Sequence, residues 1–251
     1  MENVDKLKDD FIRLFIYSFD FYLQRMNLLV FFSIPALFAF MVPVFVPAPS
    51  YAALGGLFLR TGSIPDLSTA DILLTFAGYA ISMFLIAVTV VNINLIIRSK
   101  RTLTEIRKEM VDGISHYATK IFLLNTFQLL FFFGLQILFY ENSLSALLFP
   151  LSIVVISATV FFVPPALVID GYDLSGSIFR SFDFGRRKLH FIAVWALLAL
   201  AVLSIVQIFA NLIFPVPFSG YFVLGINSLF LLPFLLVLQT HIYLEKYPLA
   251  R

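Results

Sequence analysis

Six apolar stretches, each about as long as a bilayer crossing, alternate with short polar segments along this chain. The alternation predicts six membrane-spanning helices over roughly 27–46, 72–97, 118–140, 144–169, 189–214 and 221–243. About 20 apolar residues in helical form cross about 30 Å of hydrocarbon. Helix is the expected form because it satisfies every backbone polar group within the segment itself. The outer connection from Pro47 to Ala70 is longer, and its apolar part, Tyr51 to Leu59, is expected to lie in the interface as a short helix.

The polar segments ahead of the odd-numbered stretches carry a helical pattern of their own. In the first, Leu7, Phe11, Leu14, Phe15, Ser18 and Tyr22 share one face, while Lys6, Asp9, Asp10 and Arg13 share another. In the second, Thr102-Leu103-Thr104-Glu105 has the capping-box form, followed by Leu103, Ile106, Met110 and Ile114 at helical spacing. In the third, Asp173 is placed to cap a helix with Leu174, Ile178 and Phe182 on one side. The expected unit is therefore a surface helix followed by a helical hairpin, used three times over about 1–97, 98–169 and 170–251. Ser18-Phe19-Asp20-Phe21 recurs as Ser181-Phe182-Asp183-Phe184, each copy followed by basic residues and an apolar run. The central copy, Gly113 to Tyr117 with Lys120, is degenerate. Parallel repeats of this kind are related by an axis along the membrane normal.

Charge orients this pattern. Of the 17 Lys and Arg residues, all but Arg60 fall in segments of one parity. Short cytoplasmic loops retain Lys and Arg, so both termini are expected in the cytoplasm of a multi-pass cell-membrane protein. Asp5, Asp9, Asp10 and Asp20 ahead of the first apolar run make a poor signal-peptide n-region. Charged residues are 13% of the chain and hydrophobic ones 61%, against about 25% charged in soluble domains. The spans take up about half the chain, so one all-α membrane domain over 1–251 is expected, with no room for a separate soluble catalytic domain.

Candidate chemistry is sparse. The absence of cysteine excludes disulfides, thiolate zinc sites and cysteine nucleophiles. No acidic or basic residue is evident at depth, which counts against ion-coupled transport and two-acid hydrolysis. Asn125, Gln128, Gln207 and Asn211 either line a polar cavity or bond between helices, the latter worth about 0.6 kcal/mol on average. Asp20 and Asp183 either bind cations or stay at the aqueous end while Phe inserts. Arg25, Arg186 and Arg187 are candidates to pair with them, with lipid phosphate or with a partner. His116, His190 and His241 lie near cytoplasmic span ends without ligand spacing, so no metal site is expected. Pro164-Pro165 is the strongest helix breaker, read as a kink more than a binding site. No phosphate loop, nucleophile elbow or nucleic-acid module occurs, and no cofactor is expected.

Phe162-Val163-Pro164-Pro165-Ala166-Leu167-Val168-Ile169-Asp170, followed by Ser177-Ile178-Phe179-Arg180-Ser181-Phe182, resembles a pattern in polytopic families that include the membrane domain attached to some glycerophosphodiester phosphodiesterases. The resemblance covers residues 162–190 best and the rest loosely. It implies six helices in three hairpin repeats and no phosphodiesterase activity, because the soluble catalytic domain is missing. No catalytic residue carries over. The expected function is a non-enzymatic membrane component that organises lipid or a partner protein, or a second copy of itself, through its inner face. The alternative is a facilitator or exporter of a small or lipid-like solute through a central cavity.

Overall fold

The computed structural model describes residues 2–47, 50–59, 68–102, 113–139, 145–216 and 218–245. The predicted surface helix over 103–112 and the turn at 141–143 lie outside them. Helix α1 spans Glu2–Gln24 and α2 spans Met26–Met41, continued by a 3-10 turn over Val42–Phe45. A hairpin of β1 (Ser50–Ala53) and β2 (Gly56–Leu59) follows, then the long helix α3, Thr69–Thr102. A π-helical turn over Ile114–Ala118 leads into α4, Thr119–Phe139. Next come α5 (Ser145–Val160), α6 (Val163–Ile169), α7 (Leu174–Arg187) and α8 (Leu189–Ile213). The last apolar stretch comprises α9 (Phe218–Ile226), a π-helical turn over Asn227–Leu231 and α10 (Leu232–Leu244).

Among the described residues, five stretches are long and apolar enough to cross a membrane: Met26–Phe45, Thr69–Lys100, Leu147–Ile169, Leu189–Ile213 and Phe218–Leu244. They match five of the six predicted runs. The helix in the remaining run, α4, is 21 residues long.

Local chemistry explains the boundaries. Ser68 and Asp71 form a reciprocal cap at the start of α3, the Ser68 hydroxyl donating to Asp71 Oδ2 at 2.7 Å and accepting from the Asp71 N–H at 3.2 Å. Asp173 caps α7 as expected, accepting from the Gly176 N–H at 3.1 Å. The chain bends sharply at Arg25 (φ −119°, ψ 14°) and at Lys188 (φ −114°, ψ 25°). Those two positions correspond when the Ser-Phe-Asp-Phe segments are superposed. The Arg25 N–H bonds the carbonyls of Phe21 and Tyr22, and the Lys188 N–H bonds those of Phe184 and Gly185.

Burial is most complete at one end, where α3, α6 and α10 meet. Residues Pro233 to Leu244 of α10 are all buried, as is the α3 run from Thr89 to Ile97. A helix buried on every side is a core helix. The window of α3 is 61% buried and that of α8 only 6%, so α8 is peripheral. α1 packs across α10, and α7 packs across α5 and α6.

One expectation is corrected. The segment 50–59 is an antiparallel hairpin, not a helix, turning on Leu54 (φ 47°) and Gly55 (φ 69°). Its tip is wedged against the helices: a Cβ on Gly55 would sit 2.7 Å from Asn227 Cβ and 2.8 Å from a Leu203 methyl. Counting back along α8 from Ile213 to Leu203 at 1.5 Å per residue puts the tip about 15 Å below the helix end. The hairpin therefore re-enters the bundle. The packing face of α7 is made of small residues. Its buried face is Ser177, Ser181 and Gly185, whereas Phe182 is half exposed and Phe179 is 75% exposed. Small side chains face the bundle because they let the backbones approach closely, with a Cβ on Gly185 3.3 Å from the Ala158 carbonyl oxygen.

Candidate functional site

The breaks and ends of the helices create backbone groups that need partners, and polar side chains where α3, α6 and α10 meet supply them. The Pro164-Pro165 pair separates α5 from α6, as its missing donors require. The freed groups are met from neighbouring helices: the Ser181 hydroxyl donates to the Thr159 carbonyl at 2.6 Å and accepts from the Phe162 N–H at 2.9 Å, while the Gln239 amide donates to the Phe161 carbonyl. This break is closed by protein groups, as buried non-helical backbone requires.

The end of α10 organises the rest. Thr240 donates to Asn94 Oδ1 on α3 at 2.9 Å, and Asn94 donates to the Val90 carbonyl. His241 Nδ1 lies 2.9 Å from the Ser18 hydroxyl on α1, with the Phe21 ring edge-on to the imidazole. Tyr243 is fully buried and donates to Asp170 Oδ2 at 2.5 Å. Arg98, on the last turns of α3, donates to the Val168 carbonyl at 2.9 Å and to the Tyr117 hydroxyl at 3.1 Å. Arg180 of α7 lies beside the Tyr243 hydroxyl, and its Nε is buried with no hydrogen-bond partner. Lys188 and Glu245 pair at 2.7 Å. Outside the spans, hydrogen bonds from Ser175 and Gly176 hold the Asp173 carboxyl below the usual carboxylate range, and burial raises the Tyr22 phenol.

The residues singled out from sequence are dispersed. Gln207 donates to Asn211 Oδ1 at 2.9 Å on α8 and accepts from the Leu54 N–H at 3.1 Å. Asn227 donates to the Gly55 carbonyl at 2.7 Å, so Gln207 and Asn227 together hold the hairpin tip. Asn125 and Gln128 are half-buried on α4, which packs on α3 and α5. Arg25 is half-buried at its bend, Arg186 is exposed, and Arg187 pairs with Asp183 at 2.7 Å. The three histidines have separate partners: His116 with Lys120, His190 against the Phe191 ring and His241 with Ser18. No group of His, Asp and Glu placed to hold a metal occurs among the described residues.

Sequence reasoning passed over Arg98, Asp170, Arg180 and Tyr243. Arg98, Asp170 and Tyr243 stand near helix ends, where a charged or aromatic residue is ordinarily an interfacial anchor, and Arg180 lies midway along the surface helix α7. Only the convergence of α3, α6, α7 and α10 makes them neighbours. Comparison of the chain with protein-family models, with curated proteins and with solved structures finds no match.

Proposed function

We propose that this chain is a six-span membrane protein with both termini in the cytoplasm, whose inner face serves as a non-catalytic platform for lipid headgroups or a partner protein. One observation carries the reading: polarity is inverted relative to a soluble protein. Ser18, Asn94, Ser181, Thr240 and His241 are buried, while Leu138, Leu197, Leu212 and Ile213 are each more than 60% exposed. Monomeric soluble proteins do not leave apolar surface of that extent uncovered. Arg98, Lys100, Lys120, Arg180 and Lys188 lie at the same end as the buried polar network, which supports a cytoplasmic placement for that end.

The same inversion accounts for α7, whose exposed Phe179 and Phe182 are suited to the acyl boundary of a leaflet. The matching bends at Arg25 and Lys188 support a repeat of surface helix and hairpin, in keeping with the architecture implied by the likeness in 162–190. The facilitator reading is weaker, because Gln207 and Asn227 hold the re-entrant hairpin.

The chain lacks cysteine, so single substitutions test the topology directly. Ser68→Cys is expected to react with an impermeant maleimide on intact cells, and Ser175→Cys only after permeabilisation. The opposite pattern discards the orientation and every role given to the inner face.

A further inference from the structure

We infer, resting on the membrane reading above, that α1 and α7 are a matched pair of wedges in the cytoplasmic leaflet, through which the protein favours membrane convex on that side. At 3.6 residues per turn, α1 has three faces. Ser18, Phe21 and Tyr22 are buried against the bundle. Arg13, Asp20 and Gln24 are exposed and lie within about 40° of one another. Ile12, Ile16, Phe19 and Leu23 make a third face about 60° wide, and each is 43–54% exposed. A helix that only docks on a protein needs one apolar face. α1 has two, one against the bundle and one turned away from it. Superposing the Ser-Phe-Asp-Phe segments lays Phe179 on Ile16, Phe182 on Phe19, Asp183 on Asp20 and Ser181 on Ser18. α7 follows the same plan. It buries Ser177, Ser181 and Gly185, turns Phe179 and Phe182 outward, and keeps the Asp183–Arg187 ion pair on its polar edge.

Both helices cross the spans they pack on. Phe15, Phe19 and Tyr22, spread over two turns of α1, all reach the single ring of Phe234, at 5.6, 5.9 and 5.7 Å. On α7, Ser181 meets the Thr159 carbonyl while Gly185 faces that of Ala158, so one turn of α7 passes a single step of α5. Helices that cross spans near their ends run along a leaflet. Continuity of surface names what covers the outward stripes. That of α1 runs on into exposed Met26 and Phe31 of α2, and that of α7 into exposed Leu189 and Leu197 of α8, where acyl chains are the surroundings. Such an apolar helix face sinks about 5–10 Å into the boundary between headgroups and acyl chains, and its binding depends on curvature. At the opposite end the 50–59 hairpin is drawn into the bundle and held by Gln207 and Asn227. Among the described residues, the wedges therefore add area to one leaflet only, and a bilayer with unequal leaflet areas bends with the fuller leaflet convex.

The absence of cysteine lets single substitutions test both steps. Ile16→Cys and Phe179→Cys carry a nitrobenzoxadiazole fluorophore on the stripes, and Arg13→Cys and Arg187→Cys carry it on the polar edges. Full-length protein is reconstituted in phosphatidylcholine vesicles containing lipid with a nitroxide high on the acyl chain. Stripe labels are expected to be quenched well beyond edge labels. Equal quenching, whether water or a second copy covers the stripes, overturns the inference. Curvature is read on tubes pulled from giant phosphatidylcholine vesicles. Ser175→Cys tagged with an impermeant dye reports only molecules whose α7 side faces outward, whichever side that is in the cell. The tagged protein is expected to be enriched on the tube over the flat membrane. That enrichment is expected to be lost when Ile16→Ser, Phe179→Ser and Phe182→Ser are combined, with folding checked by the Trp195 unfolding curve. No enrichment in the parent, or equal enrichment in the serine variant, overturns the inference. Should the combined variant fail to fold, Ile16→Ser and Phe179→Ser singly, at exposed positions, are expected to lower the enrichment, and an unchanged value in both rejects the wedges. Reversed maleimide labelling of cells with enrichment intact removes the orientation beneath, whereas labelling as predicted without enrichment removes the wedges alone.

Discussion

Ser18 and Ser181 occupy corresponding places in the two Ser-Phe-Asp-Phe segments, and both are fully buried. Ser18 donates to the Leu14 carbonyl one turn back and lies against His241, so its partners include a side chain that can adapt. Ser181 instead satisfies the backbone of another helix at two points, the Thr159 carbonyl and the Phe162 N–H, where Pro164 forbids a regular ladder. Removing this hydroxyl strands an acceptor and a donor together, and each buried unsatisfied group costs about 1–3 kcal/mol. Ser181→Ala is therefore expected to lower unfolding free energy by at least about 1 kcal/mol, measured by Trp195 fluorescence against denaturant. Ser175→Ala is the comparison, an exposed serine two residues after Asp173 whose loss removes only a surface bond. Equal effects from the two would show that water or a shifted backbone replaces the Ser181 bonds.

At the scale of elements, the re-entrant hairpin makes the sharpest claim. Gly55 combines a positive φ, which side chains rarely adopt, with helix atoms crowding the place a Cβ would take. Gly55→Val is expected to lift the tip from Asn227 and Leu203 and to raise proteolysis between Tyr51 and Leu59, while Gly134→Val, where a Cβ meets nothing within 4 Å, leaves digestion unchanged. How much of this was legible in the sequence depends on range. The apolar helices were legible because length and hydropathy are local properties. The caps at Asp173 and Ser68 depend on contacts three residues apart, and the first was read from that spacing. The hairpin was not legible: Tyr51-Ala52-Ala53-Leu54 and Gly56-Leu57-Phe58-Leu59 are apolar without a decisive period, and their hydrogen-bond partners Gln207 and Asn227 lie far along the chain. The face that α7 turns to the bundle was not legible either, because grouping Leu174, Ile178 and Phe182 on one side does not say which side packs, and an apolar face is driven inward only when the surroundings are water. The cluster around Asp170 was hidden for a third reason, since Arg98, Arg180, Asp170 and Tyr243 share no sequence spacing.

At the scale of the whole molecule, the question is whether α1 is an appendage or part of the fold. It lies across α10, the most enclosed helix, and contributes Phe21 and Tyr22 to the buried cluster. Phe15 and Tyr22 meet Phe234 edge-on at 5.6 and 5.7 Å, and Lys100 of α3 lies 5.0 Å from the centre of the Phe21 ring. Such aromatic contacts contribute about 0.5–1.5 kcal/mol each beyond the area they cover. Deleting residues 2–24 uncovers His241 and strips the Ser18 hydroxyl from its ring, leaving a polar group of α10 facing lipid headgroups or water. The expected outcome is a truncated protein that still enters the membrane, since its spans are intact, but unfolds at a markedly lower temperature in detergent. An address signal predicts the reverse: wrong localisation with unchanged Tm. Membrane fractionation paired with the Trp195 unfolding curve separates these results. A truncated chain with native Tm and native localisation would leave α1 without a structural role and remove half of the proposed inner face.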